Sequence, residues 1–151
     1  MATLGTFVSG QVLTAAELNA IGTWEDFPAG TGFTGITEGN GNLIQRYCVL
    51  NDLVLFEAMF ELGSTSAVST GTFSVPVTMN DADCALHFTA AFVSGTTGYA
   101  GMVRQSSGDA CLIRALAAGG TYVSQAIISS TVPFTWTTGD RIAVAGFYEK
   151  A

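Results

Sequence analysis

The chain has 151 residues, of which 48% are hydrophobic and only 11% are charged, whereas a charged share of about 25% is usual. Its formal net charge is −7, from 12 acidic and 5 basic residues, and the scattered basic residues argue against nucleic-acid binding, which needs clustered Lys and Arg. Gly, Ser, Thr and Pro133 interrupt the uncharged stretches 84–103 and 115–139, so neither provides the roughly 20 predominantly apolar residues that cross a membrane. The length suits one domain with an arm, and no membrane insertion is expected. The N-terminus lacks the pattern of a signal peptide, which predicts synthesis in a cytoplasm.

Residues 1–32 are predicted to form an N-terminal attachment arm that contains one short helix. Thr14 can cap this helix while Glu17 reaches back to the Thr14 N–H, which is a capping box. Gly22 stands where a helix ends in a left-handed residue. The helical body, residues 15–21, has only about two turns, so it is stable only when it docks on its own domain, a sister chain or a larger assembly. Residues 22–32 are the predicted hinge. The predicted anchor side chains are Phe7, Val12, Leu13, Leu18, Ile21 and Trp24.

From Phe33 onward the apolar pattern has a period of two, which predicts β-strands. The clearest strand covers residues 53–62, where every second side chain from Val54 to Leu62 is apolar. Asn51-Asp52 joins it to a strand at 42–50 through a two-residue turn of type I′. Further strands are predicted at residues 72–76, 86–93, 98–104, 110–116, 121–128, 132–136 and 141–149. Eight or nine short strands indicate an all-β domain at 33–151, a jelly-roll-like antiparallel β-sandwich.

Residues 63–71, G-S-T-S-A-V-S-T-G, separate two predicted strands and are rich in hydroxyl groups. This composition is typical of a plain surface loop. Its hydroxyls could also contact sugars or a neighbouring subunit, and the candidate residues for such a surface are Ser64, Thr65, Ser66, Ser69 and Thr70.

Few residues of this chain suit catalysis. Its single histidine, His87, stands in the strand sequence L-H-F-T, and no nucleophile elbow, phosphate-binding loop or dinucleotide fingerprint occurs. His87 is therefore interpreted as a structural or surface strand residue. Glu57 and Glu61 share one strand face and resemble a glycosidase pair in residue type, but neither has an identified partner across a cleft. The sequence predicts a non-enzymatic protein without a cofactor.

Two groups of side chains contain the residue types of a metal site. Cys84-x-x-His87 has a ligand-like spacing that Cys48 and Cys111 could complete as a zinc site. Structural zinc sites usually draw on two short chelating pairs, however, and free cysteines are often simply buried. The second group consists of Asn80, Asp81 and Asp83, whose side-chain oxygens could bind calcium. The rest of a calcium-binding loop is missing from the sequence around them, so the preferred interpretation is a solvated turn.

Several motifs resemble small structural proteins of tailed bacteriophages. They include the opening F-x-x-G-x-x-L-T-A-A-x-L-N-A at residues 7–20, G-N-G-N-L-I-Q-R-Y-C at 39–48 and F-E-L-G-S-T-S-A-V at 60–68. F-S-V-P-V-T at 73–78 and P-F-T-W-T-T-G-D-R-I-A-V-A-G-F-Y-E at 133–149 continue the resemblance. It covers most of the chain, with little from residues 79–125. Similar phage proteins carry labels such as minor tail protein, tail-fibre-like protein or capsid-decorating protein.

The resemblance implies an accessory virion structural protein made in the host cytoplasm. Its arm would dock on the particle and its β-sandwich, expected as a homotrimer, would project outward as a capsid-decorating knob or head spike. The implied partners are copies of the same chain and the major capsid or tail proteins. An alternative is a tail fibre or minor tail tip protein that binds a host receptor or glycan. A third hypothesis, a cell-wall polysaccharide hydrolase, requires a pair of acidic side chains in a groove, and loss of turnover in Glu57→Gln would support it.

Overall fold

The computed structural model describes residues 10, 12, 14–15, 22–80, 87–119 and 122–151. Twelve β-strands follow one another in this part of the chain. In chain order they are β1 Glu25–Asp26, β2 Gly32–Phe33, β3 Ile36–Thr37, β4 Asn42–Leu50, β5 Leu53–Glu61, β6 Ala67–Val68, β7 Thr72–Ser74, β8 His87–Ser94, β9 Thr97–Ser107, β10 Ala110–Gly119, β11 Tyr122–Ile127 and β12 Arg141–Glu149.

The all-β antiparallel fold predicted from the sequence is confirmed. The strands predicted at 42–50 and 141–149 coincide with β4 and β12, and the strand predicted at 53–62 ends one residue earlier, as β5. The strands β7 to β11 were also predicted, with ends that differ by up to three residues. Four strands were not predicted, because each has only two residues and two residues are too few to show a period of two. They are β1, β2, β3 and β6.

The strand predicted at residues 132–136 is wrong. Val132 makes only an isolated bridge to Ser129, and Pro133, whose peptide bond to Val132 is cis, has no N–H to donate to a ladder. The Trp136 Nε1–H donates to the Ser129 carbonyl at 2.8 Å. This segment is therefore a loop, stabilised by the Trp136 hydrogen bond and by the isolated bridge between Val132 and Ser129.

The hairpin between β4 and β5 is confirmed, but its turn differs from the predicted type. The two strands pair in an unbroken register from Leu50 opposite Leu53 to Asn42 opposite Glu61. Asn51 has a φ of +56°, which its short polar side chain tolerates. Asp52 does not share this left-handed conformation, and a type I′ turn needs it at both positions.

Most of the predicted arm helix lies outside the described residues. Of residues 15–21 only Ala15 is described, with helical backbone, and the structure provides no support for the rest of the helix. Gly22 has a φ of +75°, which is the left-handed conformation predicted for that position.

An aromatic side chain holds the predicted hinge on the sheet. Strand β1 pairs with β4, placing Glu25 opposite Tyr47. The Phe27 ring then packs edge-on against three rings of the domain at centroid distances of 6.0 to 6.3 Å. These rings belong to Tyr47, Phe56 and Phe73. Residues 25–27 therefore contribute to the packed structure.

Ten strands form one curled sheet, a half-barrel, in the order β1-β4-β5-β12-β8-β9-β10-β7-β2, with β11 paired to β10. Strands β3 and β6 form a separate two-stranded sheet. In a flat sheet, β5 and β7 would lie about 24 Å apart, at roughly 4.8 Å for each strand spacing. Instead, the Phe56 ring on β5 stacks on the Phe73 ring on β7 at 5.7 Å. The two halves of the sheet thus face each other as in a sandwich, while remaining hydrogen-bonded in one sheet.

The core fills the concave side of this sheet. The apolar face predicted for β5 is confirmed, since every second residue from Val54 to Leu62 is buried. Strand β12 contributes Ile142, Val144 and Tyr148 in the same alternating manner. Aromatic rings dominate the centre of the core, which holds Phe56, Phe60, Phe73, Phe88 and Phe92.

Candidate interaction surface

The outer face of the curled sheet carries a row of apolar side chains across five strands. Because successive side chains point to opposite faces of a strand, the residues between the buried ones point outward. Along this row Ile44 lies opposite Met59, Met59 opposite Ala143, Ala143 opposite Ala91, and Ala91 opposite Ala100. Met59 is half-buried and the other four are exposed. We call these five residues the apolar row.

Two ion pairs border the apolar row on strands β4, β5 and β12. On one side the Arg46 Nε–H donates to a Glu57 carboxylate oxygen. On the other side the Arg141 Nε–H donates to a Glu61 carboxylate oxygen at 2.7 Å. Pairs this exposed contribute less than about 1 kcal/mol each. Their main effect is to neutralise the charges that border the row.

The two glutamates that the sequence offered for hydrolysis are thus held by separate arginines. Glu57 lies directly opposite Arg46, and Glu61 directly opposite Arg141, on neighbouring strands. Glycoside hydrolysis uses two carboxyl groups that flank one scissile bond. Glu57 and Glu61 instead form separate cross-strand ion pairs on an open face of the sheet.

A shallow cavity and an exposed phenylalanine extend the apolar row. The cavity has a volume of about 370 Å³ and lies between Ile44, Met59 and Ala145. Further along β12, the Phe147 side chain is 69% exposed and lies opposite Leu55. We call the apolar row together with Leu55 and Phe147 the outer apolar face. Exposed Ala145 on β12 lies between Ala143 and Phe147 and connects the two parts of this face beside the Arg46–Glu57 ion pair. An exposed apolar surface of this kind is typical of a contact with another molecule.

Residues 22–24 of the predicted arm lie beside this face. The Gly22 backbone lies over β4, so close that a Cβ placed there would be 3.3 Å from a Leu50 methyl carbon and 3.7 Å from the Cys48 sulfur. The Trp24 ring lies over the Arg46 guanidinium, whose central carbon is 5.1 Å from the ring centroid. Burial raises the pKa of the Cys48 thiol, and the nearby Glu25 carboxylate adds to the rise. Residues 22–24 therefore reach the border of the outer apolar face.

The structure describes two of the six predicted anchor residues. Val12 is 86% exposed, and Trp24 is exposed beside Arg46. The other four lie outside the described residues: Phe7, Leu13, Leu18 and Ile21.

The hydroxyl-rich loop at residues 63–71 is tied to the turn that precedes β4. The Asn40 side-chain oxygen accepts from the Thr65 N–H at 2.9 Å and from the Thr65 hydroxyl at 3.0 Å. The Asn40 side-chain amide donates to the Ser64 hydroxyl at 3.1 Å, and the Ser66 hydroxyl donates to the Glu38 carbonyl. The Ser69 hydroxyl similarly donates to the Gly35 carbonyl at 2.8 Å. Several of the candidate hydroxyls thus already have partners in the fold.

A second open cavity of about 310 Å³ lies beside this loop. The residues that line it include Asn40, Glu61, Ser64 and Thr138. Within the loop, Ser64, Thr65, Ser69 and Thr70 are exposed and Ser66 is half-buried. These residues form a polar surface beside the cavity.

The structure separates the two described cysteines. Cys48 lies on β4, whereas Cys111 lies on β10 within the core. Burial raises the pKa of the Cys111 thiol to about 12, with a smaller contribution from Asp109. Cys84, Asp81 and Asp83 lie outside the described residues. In the part of the chain that the structure describes, no three His, Cys, Asp or Glu side chains are grouped for metal binding.

Sequence reasoning missed two exposed features, the first of which is the ribbon formed by the end of β10 and β11. The strand at 121–128 was predicted, but its pattern gave no sign that both its faces are exposed. Tyr122 is 83% and Val123 is 64% exposed. The apolar row was likewise missed, although the exposed Phe147 between the buried positions of β12 follows from the alternation.

Comparisons with protein-family models, with curated proteins and with solved structures found no match. Among the residues that the structure describes, no helix has the length and apolar character needed to span a membrane.

Proposed function

We propose that this chain is a non-enzymatic structural protein of a phage particle and that its outer apolar face packs against another protein of that particle. The observation that carries the proposal is this face, where Ile44, Met59, Ala143, Ala91 and Ala100 adjoin one another on the exposed side of the sheet. The resemblance of the sequence motifs to phage structural proteins supports the particle as the setting. The low charged share of 11% agrees with a surface that is covered by protein.

The outer apolar face suits protein contact for a physical reason. Small side chains such as Ala143, Ala91 and Ala100 let a partner approach closely, while Phe147 projects beyond them as a large apolar group. The bordering ion pairs carry no net charge, so a partner need not supply a complementary charge. Contact would remove apolar surface from water at a gain of roughly 25 cal/mol per Å².

In this proposal the arm anchors the chain and the β domain lies on the particle exterior. Gly22, the first residue of the predicted hinge, lies close to Leu50 on β4, which is consistent with an arm attached near the border of the outer apolar face. We favour capsid decoration or a head spike, with trimeric packing, over a place on the tail. The small domain and the lack of a sequence repeat favour a compact knob over a fibre shaft.

Substitution within the apolar row tests the contact. Ala91→Glu places a carboxylate between Ala143 and Ala100, and because Ala91 is exposed its stability should change by less than about 1 kcal/mol. Incorporation of the variant into purified particles, measured by quantitative mass spectrometry, should fall at least about tenfold. Thr97→Glu is the matched control, since Thr97 is exposed on the same sheet away from the row. A folded Ala91→Glu chain that is incorporated like the control would refute the proposed contact.

The copy number of the chain in purified particles tests the setting. A high copy number proportional to the major capsid protein would support decoration, whereas a few copies in multiples of three or six would place the chain on the tail. Absence from the particle would overturn the virion proposal.

The second candidate is a tail tip protein that binds a host glycan. The cavity beside Asn40, Ser64 and Thr138 favours it, because amide and hydroxyl groups surround an open space of about 310 Å³. Thr138→Trp should fill this cavity and abolish glycan-array binding, while Thr97→Trp should leave it unchanged. Equal binding by both variants would remove this candidate.

A further inference from the structure

The ribbon formed by the end of β10 and β11 extends beyond the rest of the sheet. On one side β10 pairs with β9 only up to Ala115 opposite Gly101, and on the other it pairs with β11 as far as Gly119 opposite Tyr122. The six residues of β11 are all exposed. A two-stranded ribbon without other support is marginally stable in water.

One edge of β11 has backbone groups that no described strand binds. The Ile128 N–H donates to the Ile113 carbonyl at 3.1 Å, which continues the β10–β11 register. Because the direction of backbone groups alternates along an antiparallel strand, the N–H and C=O groups of Val123, Gln125 and Ile127 point away from β10. In the described part of the chain, β11 has β10 as its single strand partner.

This edge lacks the features that usually prevent edge-to-edge pairing. Exposed edge strands are commonly protected by Lys, by Pro or by inward-pointing charges. Strand β11 reads Y-V-S-Q-A-I and lies in residues 115–139, the longest stretch of the chain without a charged residue. Two copies that each carry a net charge of −7 can therefore approach along β11 without opposing like charges.

We propose that β11 pairs antiparallel with β11 of a second copy, about a two-fold axis that passes beside Gln125. Outward-pointing groups must meet outward-pointing groups, so only Val123, Gln125 and Ile127 can form the hydrogen-bonded pairs. The register centred on Gln125 uses all three. It places Val123 opposite Ile127 of the second copy and Gln125 opposite its own counterpart.

This register has favourable side-chain neighbours. Val123 and Ile127 are both β-branched, and such pairs stabilise neighbouring strands. Each hydrogen-bonded pair exchanges two backbone bonds, so three pairs supply about six across the contact. Because the contact has a two-fold axis, each such contact links two chains. It predicts a dimer, or a hexamer if the trimer expected from the sequence also forms.

The self-pairing of Gln125 provides a test that is specific for this axis. Gln125→Lys and Gln125→Glu each place two like charges opposite each other, which should weaken association of the purified full chain by about fivefold. A mixture of the two variants places Lys opposite Glu, and it should associate at least as tightly as the wild type. An affinity tag on one variant should then retain the other. Sedimentation equilibrium over a range of protein concentrations measures all three cases.

Thr97→Lys and Thr97→Glu are the matched controls, because Thr97 is exposed at the end of another strand. They should leave association unchanged. The proposal is overturned if the wild type stays monomeric or forms only trimers. It is also overturned if either Gln125 variant associates like the wild type, or if the mixture associates no better than the separate variants. These results do not depend on incorporation into a particle, so they separate this contact from the proposed function.

Discussion

Substitution of Gly146 by Ala should destabilise the fold, because an aromatic ring occupies the space that a side chain at this position would need. Gly146 lies on β12 between the buried residues Val144 and Tyr148, on the inner face of the sheet. A Cβ at this position would be 2.5 Å from Phe88 Cδ1 and 3.0 Å from Phe88 Cβ. Ordinary Cβ contacts are 3.4–4 Å, so Gly146→Ala requires the ring to move by about 1 Å.

The surrounding rings restrict that movement. Phe88 is buried, and its ring meets the Phe56 ring edge-on at 5.0 Å and the Tyr148 ring at 5.9 Å. Overpacking of a filled core costs about 1–3 kcal/mol. Replacing Gly by Ala within a strand returns about 0.5–1 kcal/mol of backbone entropy. The difference between these two terms is a fall of up to about 2.5 kcal/mol in the free energy of unfolding of Gly146→Ala, and it corresponds to a Tm lower by up to about 10 °C.

Gly98 is the matched control for this substitution. It lies in β9 of the same sheet, with no atom within 4 Å of a Cβ placed on it and without a left-handed backbone. Gly98→Ala should therefore leave stability unchanged or raise it by up to about 1 kcal/mol. Urea unfolding followed by tryptophan fluorescence measures both variants, with an unchanged m-value as the condition for comparing midpoints.

A double-mutant cycle then isolates the contact between Gly146 and Phe88. Phe88→Ala removes Cγ and Cδ1, two of the three Phe88 atoms nearest to the new methyl group, so Gly146→Ala should cost at least about 0.5 kcal/mol less in the Phe88→Ala background. If Gly146→Ala is as stable as Gly98→Ala, or if the two substitutions at positions 146 and 88 are additive, the steric reasoning is refuted.

Buried polar groups lead to three further predictions. Tyr148→Phe should cost about 1–3 kcal/mol of unfolding free energy in urea titrations, because the tyrosine hydroxyl donates to the Val77 carbonyl at 2.7 Å and accepts from the Val77 N–H at 3.1 Å; a neutral effect would contradict this. Asp140→Ala should cost a similar amount, since the buried carboxylate accepts the Thr137 N–H at 2.7 Å, and equal Tm values would argue against that role. Burial raises the pKa of Cys111 from 9.0 to about 12, so the unfolded chain loses this proton first and stability should fall as pH rises above about 9, by up to roughly 1.4 kcal/mol per pH unit. Cys111→Ala should make that fall shallower, and an unchanged slope between pH 9 and 11 would contradict the assignment.

Much of the local structure could be predicted from the sequence because it depends on neighbouring residues. The alternation along residues 53–62 identified β5 and its buried face. Asn51-Asp52 identified the hairpin, since a short turn brings together strands that are adjacent in the chain. The turn type was wrong because Asn51 alone adopts the left-handed conformation, and this choice depends on how the two strands twist.

The candidate surface was harder to predict. The sequence identified Glu57 and Glu61 as a possible carboxylate pair. It did not predict their arginine partners, because these depend on the register of β4, β5 and β12. The hydroxyl-rich loop was recognised by composition, yet its bonds to Asn40 depend on a turn more than 20 residues away in the chain. A side chain's chemical type is encoded locally, whereas its partner is determined by which strands become neighbours.

The sequence by itself determined the all-β character, the clearest strands and the alternating faces, since a period of two follows from the geometry of a single strand. Only the tertiary structure decided that β12 lies between β5 and β8 and that the sheet curls until Phe56 stacks on Phe73. It also decided that Ile44, Met59, Ala143, Ala91 and Ala100 form one row, and that among the described strands β11 pairs with β10 alone. Strand order and register arise from the packing of residues far apart in the chain, and a local pattern does not specify those contacts.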